Sequence, residues 1–126
     1  MHDPSNGAKL VDETNLSPAD AEVAIAAANA AWPAWRNKPG KERSINLRKW
    51  FDLLMANQED LGRIMTAEQG KPFPEAKGKI AYGASFVEWF AEEARRVNGE
   101  PLPQFDNNRR LMVIKQPIGG YAAITP

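Results

Sequence analysis

The sequence contains no cysteine, which excludes disulfide bonds, a thiolate nucleophile and any cysteine-based metal site within these 126 residues. Histidine occurs once, as His2 beside the first methionine, where a disordered terminus is a simpler expectation than a metal ligand or a general base. Among the remaining residues, little looks catalytic by itself. We therefore predict neither a metal site nor a catalytic residue.

The sequence also has no excess of either charge, since Lys+Arg and Asp+Glu both number 16. A nucleic-acid-binding protein usually has a basic excess or stripe, and a polybasic membrane contact needs one too. No apolar run approaches the roughly 20 residues of a membrane-spanning helix, and the N-terminal residues lack the apolar segment of a signal peptide. We therefore expect a cytoplasmic protein that binds neither nucleic acid nor membrane.

Apolar periodicity and helix-end signals predict a mostly helical α/β chain. Ser17, Pro18 and Asp20 are typical of a helix N-terminus, and Pro33 is expected to end or kink that first helix near Trp32. Gly70 is expected to end the third helix in a left-handed conformation. The four predicted helices are 18–32, 41–57, 59–69 and 74–97.

The fourth predicted helix has two apolar faces. A helix that is apolar on two sides is normally buried between two layers. We expect another backbone to pack closely on the face of small residues, and the aromatic face to be core or interface. The small face comprises Ala76, Ile80, Gly83, Ala84, Val87, Ala91 and Ala94. The aromatic face comprises Tyr82, Phe86, Trp89 and Phe90.

The sequence pattern is no longer helical after Asn98-Gly99, where the fourth helix is expected to end. Residues 100–108 contain two prolines and are predicted as a loop, whereas alternation predicts a strand at 109–116. A last strand is predicted at 121–125, after a turn at Gly119-Gly120. The glycine pair is interpreted as a plain turn, because a dinucleotide-binding loop needs a helix directly after it.

Domain organisation follows from these elements. Residues 1–16 are expected to be extended or disordered, and 17–126 to form one partial domain. A buried strand needs neighbours on both sides, so the apolar strand at the end of the sequence indicates a piece of a larger protein.

Two charged motifs have simpler structural explanations than chemical ones. Glu68-Gln69-Gly70-Lys71-Pro72 is interpreted as a helix C-terminus, with Lys71 facing the negative end of the helix. Glu92-Glu93 and Arg95-Arg96 are interpreted as surface ion pairs of one helix, which contribute little stability.

Five short segments occur in a specific order along about 100 residues. They are Ala-Ala-Ala-Asn-Ala-Ala-Trp-Pro-Ala-Trp-Arg at 26–36, Met-Thr-Ala-Glu-Gln-Gly-Lys-Pro at 65–72, Ser-Phe-Val-Glu-Trp-Phe-Ala-Glu-Glu at 85–93, Lys-Gln-Pro-Ile-Gly at 115–119 and Ala-Ala-Ile-Thr-Pro at 122–126. Together they resemble the N-terminal quarter of an aldehyde dehydrogenase. Among the subfamilies, these segments are most similar to those of the succinate-semialdehyde dehydrogenases.

The resemblance implies a place for each part of the chain in a Rossmann-type fold. The helices would form the periphery of the cofactor-binding domain, and the strand at 109–116 would belong to an oligomerisation sheet. The backbone of Ile124, Thr125 and Pro126 would line the dinucleotide site. The long fourth helix would border the substrate entrance, which makes Phe86, Trp89, Phe90 and Glu93 the candidate entrance residues.

The resemblance also implies an activity for the parent enzyme. That family oxidises aldehydes to acids with NAD or NADP, using a cysteine thiolate, a glutamate that activates the deacylating water and an asparagine that stabilises the oxyanion. All three belong to regions after the present sequence. We therefore expect a homo-oligomeric parent enzyme, and a 126-residue chain that is inactive and binds no cofactor. The alternative is a non-catalytic helical interaction module.

Overall fold

The computed structural model describes residues 1–124, which form four helices and two short strands. These are α1 (Pro18–Arg36), α2 (Gly40–Ala56), α3 (Gln58–Gln69), α4 (Phe73–Glu93), β1 (Glu100–Leu102) and β2 (Leu111–Val113). The predicted mostly helical α/β class is confirmed. Within the described residues, none of the helices combines the length and the apolar character that crossing a bilayer requires.

One compact unit comprises Met1–Asn15 and Lys41–Arg95, and its core lies where α3 packs against α4. Ala76, Ala84 and Ala91 of α4 are fully buried. On the α3 side the packing partner is Gly62, where a Cβ atom would lie only 3.0 Å from Lys77 Cγ. The small face is thus buried at these three alanines, and close packing of another backbone on them stays a prediction. At Gly83 the prediction is wrong, because this residue is exposed and a Cβ atom there would meet open space.

The first residues of this unit form a hydrogen-bonded loop closed by a bridge between His2 and Lys9. The Asp3 carboxylate accepts hydrogen bonds from the Ser5 hydroxyl (2.6 Å) and the Ser5 backbone N–H (2.8 Å), which lower the pKa of Asp3. The ring of Pro4 lies against Gly70, whose φ of 71° and N–H bond to the Thr66 carbonyl end α3. The helix C-terminus predicted at Gly70 is confirmed.

The other unit comprises Leu16–Gly40 and the described residues from Arg96 onward. Its helix α1 extends through Pro33 to Arg36, so the predicted end near Trp32 is wrong. Proline removes one hydrogen bond of the preceding turn, but Pro33 is exposed and only one turn follows it, so water can satisfy the freed carbonyl. The last turn is still closed by the Asn37 N–H, which donates to the Pro33 carbonyl.

The loop predicted for 100–108 is partly wrong, because its first residues form β1. Strand β1 pairs antiparallel with β2, with Pro101 opposite Met112. Both strands of a two-stranded sheet are edges, and an edge strand tolerates a proline that donates no ladder bond. The strand predicted at 109–116 is confirmed only at its centre, Leu111–Val113.

Two further boundaries differ from the prediction. Helix α4 ends at Glu93 rather than at 97, because the Arg95 N–H bonds to the Glu92 carbonyl (3.3 Å) in a tighter turn that closes the helix. Residues 121–124 are not a strand, since no neighbouring strand among the described residues pairs with them. The final residue of that predicted strand, Thr125, lies outside the described residues.

Candidate functional site

A surface depression runs along the outer face of α4. Its volume is about 610 Å³. Phe86, Trp89 and Phe90 follow one another at helical i, i+3 and i+4 spacing, so their side chains project to the same side. The residues that line the depression are Ser85, Phe86, Glu88, Trp89, Phe90 and Glu92.

Arg48 of α2 holds the two carboxylates at this depression. Its Nη1 donates to Glu88 Oε1 at 2.6 Å and its Nη2 to Glu92 Oε1 at 3.2 Å. The hydrogen bond to Glu88 raises the pKa of Arg48 above its ordinary value, and the charges of Glu88, Glu92 and Asp52 add to this effect. Arg48 also lies 5.3 Å from the centre of the Phe51 ring, a cation–π distance.

These contacts determine what the depression can do chemically. Because Glu88 and Glu92 both form salt bridges with Arg48, their side-chain oxygens are already bound by a partner within the chain. The aromatic side chains, by contrast, remain accessible: Phe86, Trp89 and Phe90 are 49%, 63% and 58% exposed. The site is therefore suited to apolar contact rather than to acid–base catalysis.

The structure brings three of the four predicted entrance residues together. Phe86, Trp89 and Phe90 all line the depression, whereas Glu93 is half-buried and is not among the lining residues. Of the two expectations for the aromatic face, core or interface, the structure excludes core in this chain, because these rings lie at the surface, and interface stays a prediction. Small alanines occupy the core side of α4 instead and leave no space there for rings.

The sequence analysis missed Arg48, Glu88 and Glu92 as members of this site. Glu92 pairs with Arg48 of α2, a partner that the surface-pair interpretation did not include. One signal was present: Arg48 follows Ser44, the buried residue of α2, by one helical turn, and so shares its inward face. On α4 the corresponding sequence signal was the four-residue spacing of Glu88 and Glu92, which makes them neighbours on the surface of the helix.

A second depression of about 370 Å³ lies at the end of α3. Its lining residues are Met65, Gln69, Gly70, Lys71 and Lys79. Gln69, Gly70 and Lys71 come from the motif interpreted as a helix C-terminus, which is confirmed for Gln69 as the last residue of α3 and Gly70 as its cap, while the role of Lys71 stays a prediction. Among residues 1–124, no group of three or more potential metal ligands lies close together.

The predicted cofactor edge is only partly described. Ile124 is 98% exposed, while Thr125 and Pro126 lie outside the described residues. Gly119 has a φ of 135°, which favours glycine, but no helix follows it up to Ile124. A dinucleotide cradle places the pyrophosphate at a helix N-terminus, so the described residues here do not fit a nicotinamide dinucleotide by themselves.

Similarity to known proteins extends over the whole sequence. The family model described as "Aldehyde dehydrogenase family" matches residues 1–126. The chain is 54% identical over 123 residues, 98% of its length, to the glutarate-semialdehyde dehydrogenase of Pseudomonas putida. It is equally identical, over the same span, to the NADP(+) succinate-semialdehyde dehydrogenase of Escherichia coli.

A solved structure shows the same likeness in three dimensions. The crystal structure of succinate-semialdehyde dehydrogenase from Burkholderia pseudomallei superposes with a TM-score of 0.91 at 53% identity, over 94% of this chain and 24% of that one. The chain spans 26% of the length of each of the two bacterial relatives. Since the family model matches every residue of the sequence, the chain belongs to the aldehyde dehydrogenase family.

Proposed function

We propose that these residues are the N-terminal part of an NAD(P)-dependent aldehyde dehydrogenase of the succinate-semialdehyde type, which oxidises an aldehyde to a carboxylic acid. The observation that carries the proposal is the 54% identity to both a glutarate- and a succinate-semialdehyde dehydrogenase. Both relatives are named for semialdehydes that carry a carboxylate. A small carboxylated aldehyde is therefore the proposed substrate class, and a cytoplasmic homo-oligomer the proposed setting.

The depression on α4 is the proposed border of the substrate entrance. Its aromatic side chains offer apolar contact to the carbon chain of an aldehyde, as expected for Phe86, Trp89 and Phe90. Arg48 partly neutralises Glu88 and Glu92, which weakens the repulsion that a carboxylated substrate would meet there. Glu93 and the backbone of 124–126 remain predictions, as an entrance residue and a cofactor-site edge respectively.

The 126-residue chain alone is proposed to be inactive and to bind no cofactor. The family reaction, as the resemblance implies it, needs a thiolate, and the chain has no cysteine. The test is a steady-state assay of the purified chain with succinate semialdehyde and either NAD or NADP, following the absorbance of the reduced nicotinamide. We expect no turnover, and clear turnover that survives repurification would overturn this part of the proposal.

The substrate class is tested on the protein encoded by the complete reading frame that contains these residues. We expect a higher kcat/KM for succinate semialdehyde than for butanal, which has the same carbon number but no carboxylate. Trp89→Ala should raise KM for the semialdehyde several-fold, whereas Trp50→Ala, at a similarly exposed tryptophan outside the depression, should leave KM unchanged. A preference for butanal would refute the semialdehyde proposal, and equal effects of both variants would refute the entrance role.

The second candidate is the non-catalytic interaction module. The observation that favours it is the exposure of Tyr82, Phe86, Trp89 and Phe90 on one helix, a surface suited to a protein partner. Activity of the complete protein separates the two candidates, because an interaction module would oxidise no aldehyde.

A further inference from the structure

The chain contains two Asn-Gly steps, Asn6-Gly7 and Asn98-Gly99. In such a step the backbone nitrogen of glycine, unhindered by a neighbouring side chain, can attack the side-chain amide carbon of the asparagine. All four residues are exposed, so access of water does not distinguish the two steps. The hydrogen bonds of the reacting groups, by contrast, distinguish the two steps.

At Asn6-Gly7 both reacting groups, the glycine nitrogen and the asparagine side-chain amide, form hydrogen bonds. The Gly7 N–H, which supplies the nucleophile, donates to the Asp3 carbonyl at 2.8 Å. The side-chain amide of Asn6 donates to Asp3 Oδ2 at 3.2 Å and accepts from the Ala8 N–H at 2.7 Å. The attack would have to break these bonds, because both the glycine nitrogen and the asparagine amide must leave their present partners.

The step at Asn98 has no comparable restraint. The backbone N–H of Asn98 donates to the Arg96 carbonyl at 2.8 Å, but this group takes no part in the attack. Across residues 1–124, the structure shows no hydrogen bond from the Gly99 N–H and none to the side-chain amide of Asn98. Both reacting groups are therefore free to approach each other.

From this contrast we infer that Asn98 is a site of spontaneous deamidation and that Asn6, despite the same dipeptide and similar exposure, is protected. The Gly99 nitrogen loses its proton to solvent base and forms a bond to Cγ of Asn98, and the bond from Cγ to the side-chain nitrogen breaks to release ammonia. Water then opens the resulting succinimide at one of its two carbonyl carbons. The products are aspartate and isoaspartate, and no oxidant or reductant is needed.

The position of Asn98 gives this reaction a structural consequence. Gly99 lies so close to β2 that a Cβ atom there would be 2.5 Å from the Val113 carbonyl oxygen. Isoaspartate adds a methylene to the main chain directly before Gly99, and either product places a carboxylate beside Glu100. Both changes act where β1 meets β2, so deamidation is expected to weaken the pairing of Glu100 with Val113.

The test follows both sites in the same molecule. The 126-residue chain is incubated at mildly alkaline pH, and peptide mapping by mass spectrometry, with enzymatic methylation of isoaspartate, measures conversion at Asn6 and Asn98. We expect Asn98 to convert several-fold faster in the folded chain. In denaturant, where the bonds to Asp3 are lost, the two sites should react at comparable rates.

A matched variant tests the stated cause. Asp3→Ala removes the side-chain restraint on Asn6 and should accelerate conversion there, while conversion at Asn98 stays unchanged; Asn98→Gln should abolish the faster reaction. Equal rates at the two sites of the folded chain, or faster conversion of Asn6, would overturn the inference. If Asn6 retained its slow rate in denaturant, protection by the fold would be refuted even if Asp3→Ala failed to fold.

Discussion

Two glycines illustrate how differently one residue type acts at different positions. Gly99 lies against the backbone of β2, and a Cβ there would meet the Val113 carbonyl oxygen at 2.5 Å. Gly78, in the middle of α4, has no atom within 4 Å of the place where a Cβ would be. The first glycine is required by packing, whereas the second lowers helix stability without any compensating contact.

Alanine substitution at the two positions should therefore have opposite effects. Gly99→Ala should destabilise the β1–β2 pair by about 1–3 kcal/mol, the usual cost of forcing an atom into occupied space. Gly78→Ala should stabilise the chain by roughly 0.5–1 kcal/mol, because alanine is the better helix former. Amide hydrogen exchange of Leu111–Val113 checks the first, and chemical denaturation checks the second; unchanged protection of β2 in Gly99→Ala would contradict the close approach.

Arg48 shows the limit of sequence reasoning for a single residue. Leu47, Phe51, Leu54 and Met55 fall at i, i+4, i+7 and i+8 of α2, a spacing that indicates a core-facing stripe, and the first three are half-buried while Met55 is exposed. Nothing in that periodicity indicated that Arg48 would bind Glu88, 40 residues further along the chain. A salt bridge between two helices depends on how they pack, which local spacing does not determine.

Among the helices, α1 depends most on its own sequence, because it alone of the four has no buried residue. Its alanine-rich interior favours the helix, and its N-terminus is stabilised by Asp20. The Asp20 carboxylate accepts hydrogen bonds from the Ser17 hydroxyl (2.7 Å) and the Ser17 backbone N–H (2.8 Å). The bond from the Ser17 side chain is the main reason that the pKa of Asp20 is lowered, with the backbone bond next.

This lowered pKa predicts how α1 responds to acid. A carboxyl group whose pKa is lower in the folded than in the unfolded chain stabilises the fold above its unfolded pKa, about 4 for aspartate, and loses that effect as the pH falls through the folded pKa. Helicity of α1 should therefore decrease below about pH 4.

Circular dichroism of Asp20→Ala during an acid titration isolates this contribution. The variant should have less helix at neutral pH, and the difference from the unmodified chain should vanish in acid. Glu22→Gln, an exposed change on the same helix, serves as the control. A constant difference between Asp20→Ala and the unmodified chain from neutral to acid pH would contradict a role for the ionised Asp20 carboxyl group.

The prolines explain the main errors in predicting elements. Pro33 is expected to end or kink α1, and Pro101 and Pro103 contribute to the prediction of a loop at 100–108. A proline disrupts a helix or strand only where the missing backbone N–H would have donated a hydrogen bond that the structure requires. At Pro33 the affected turn is exposed to water, and at Pro101 the strand is an edge, so neither proline breaks its element.

At the scale of the whole molecule, the aromatic face of α4 stays exposed while the alanine face is buried. Water-exposed rings at this density are unusual for an isolated domain and favour association. The homo-oligomer expected from the sequence remains a prediction, and the aromatic face is the surface through which we expect the isolated chain to associate.

Light scattering over a range of protein concentrations tests this expectation. We expect the apparent mass of the 126-residue chain to rise with concentration, and Trp89→Glu to reduce that rise by placing a charge among the rings. Val23→Glu, an equally drastic change at an exposed residue of α1, should leave it unchanged. A constant monomer mass for the unmodified chain, or equal effects of both variants, would contradict association through α4.

The sequence by itself determined the features that act over a few residues. These include the helix start before Asp20, the left-handed stop at Gly70, the turn-favouring glycines and the order of segments that indicated the family. Helix capping and backbone conformation depend on residues that are close in the sequence, so short segments are enough to predict them. Only the tertiary structure decided that α4 buries its alanines and exposes its rings, that Arg48 binds Glu88, and that a proline-containing segment becomes β1. Each of these depends on which distant segment comes within contact distance, and no local preference encodes that.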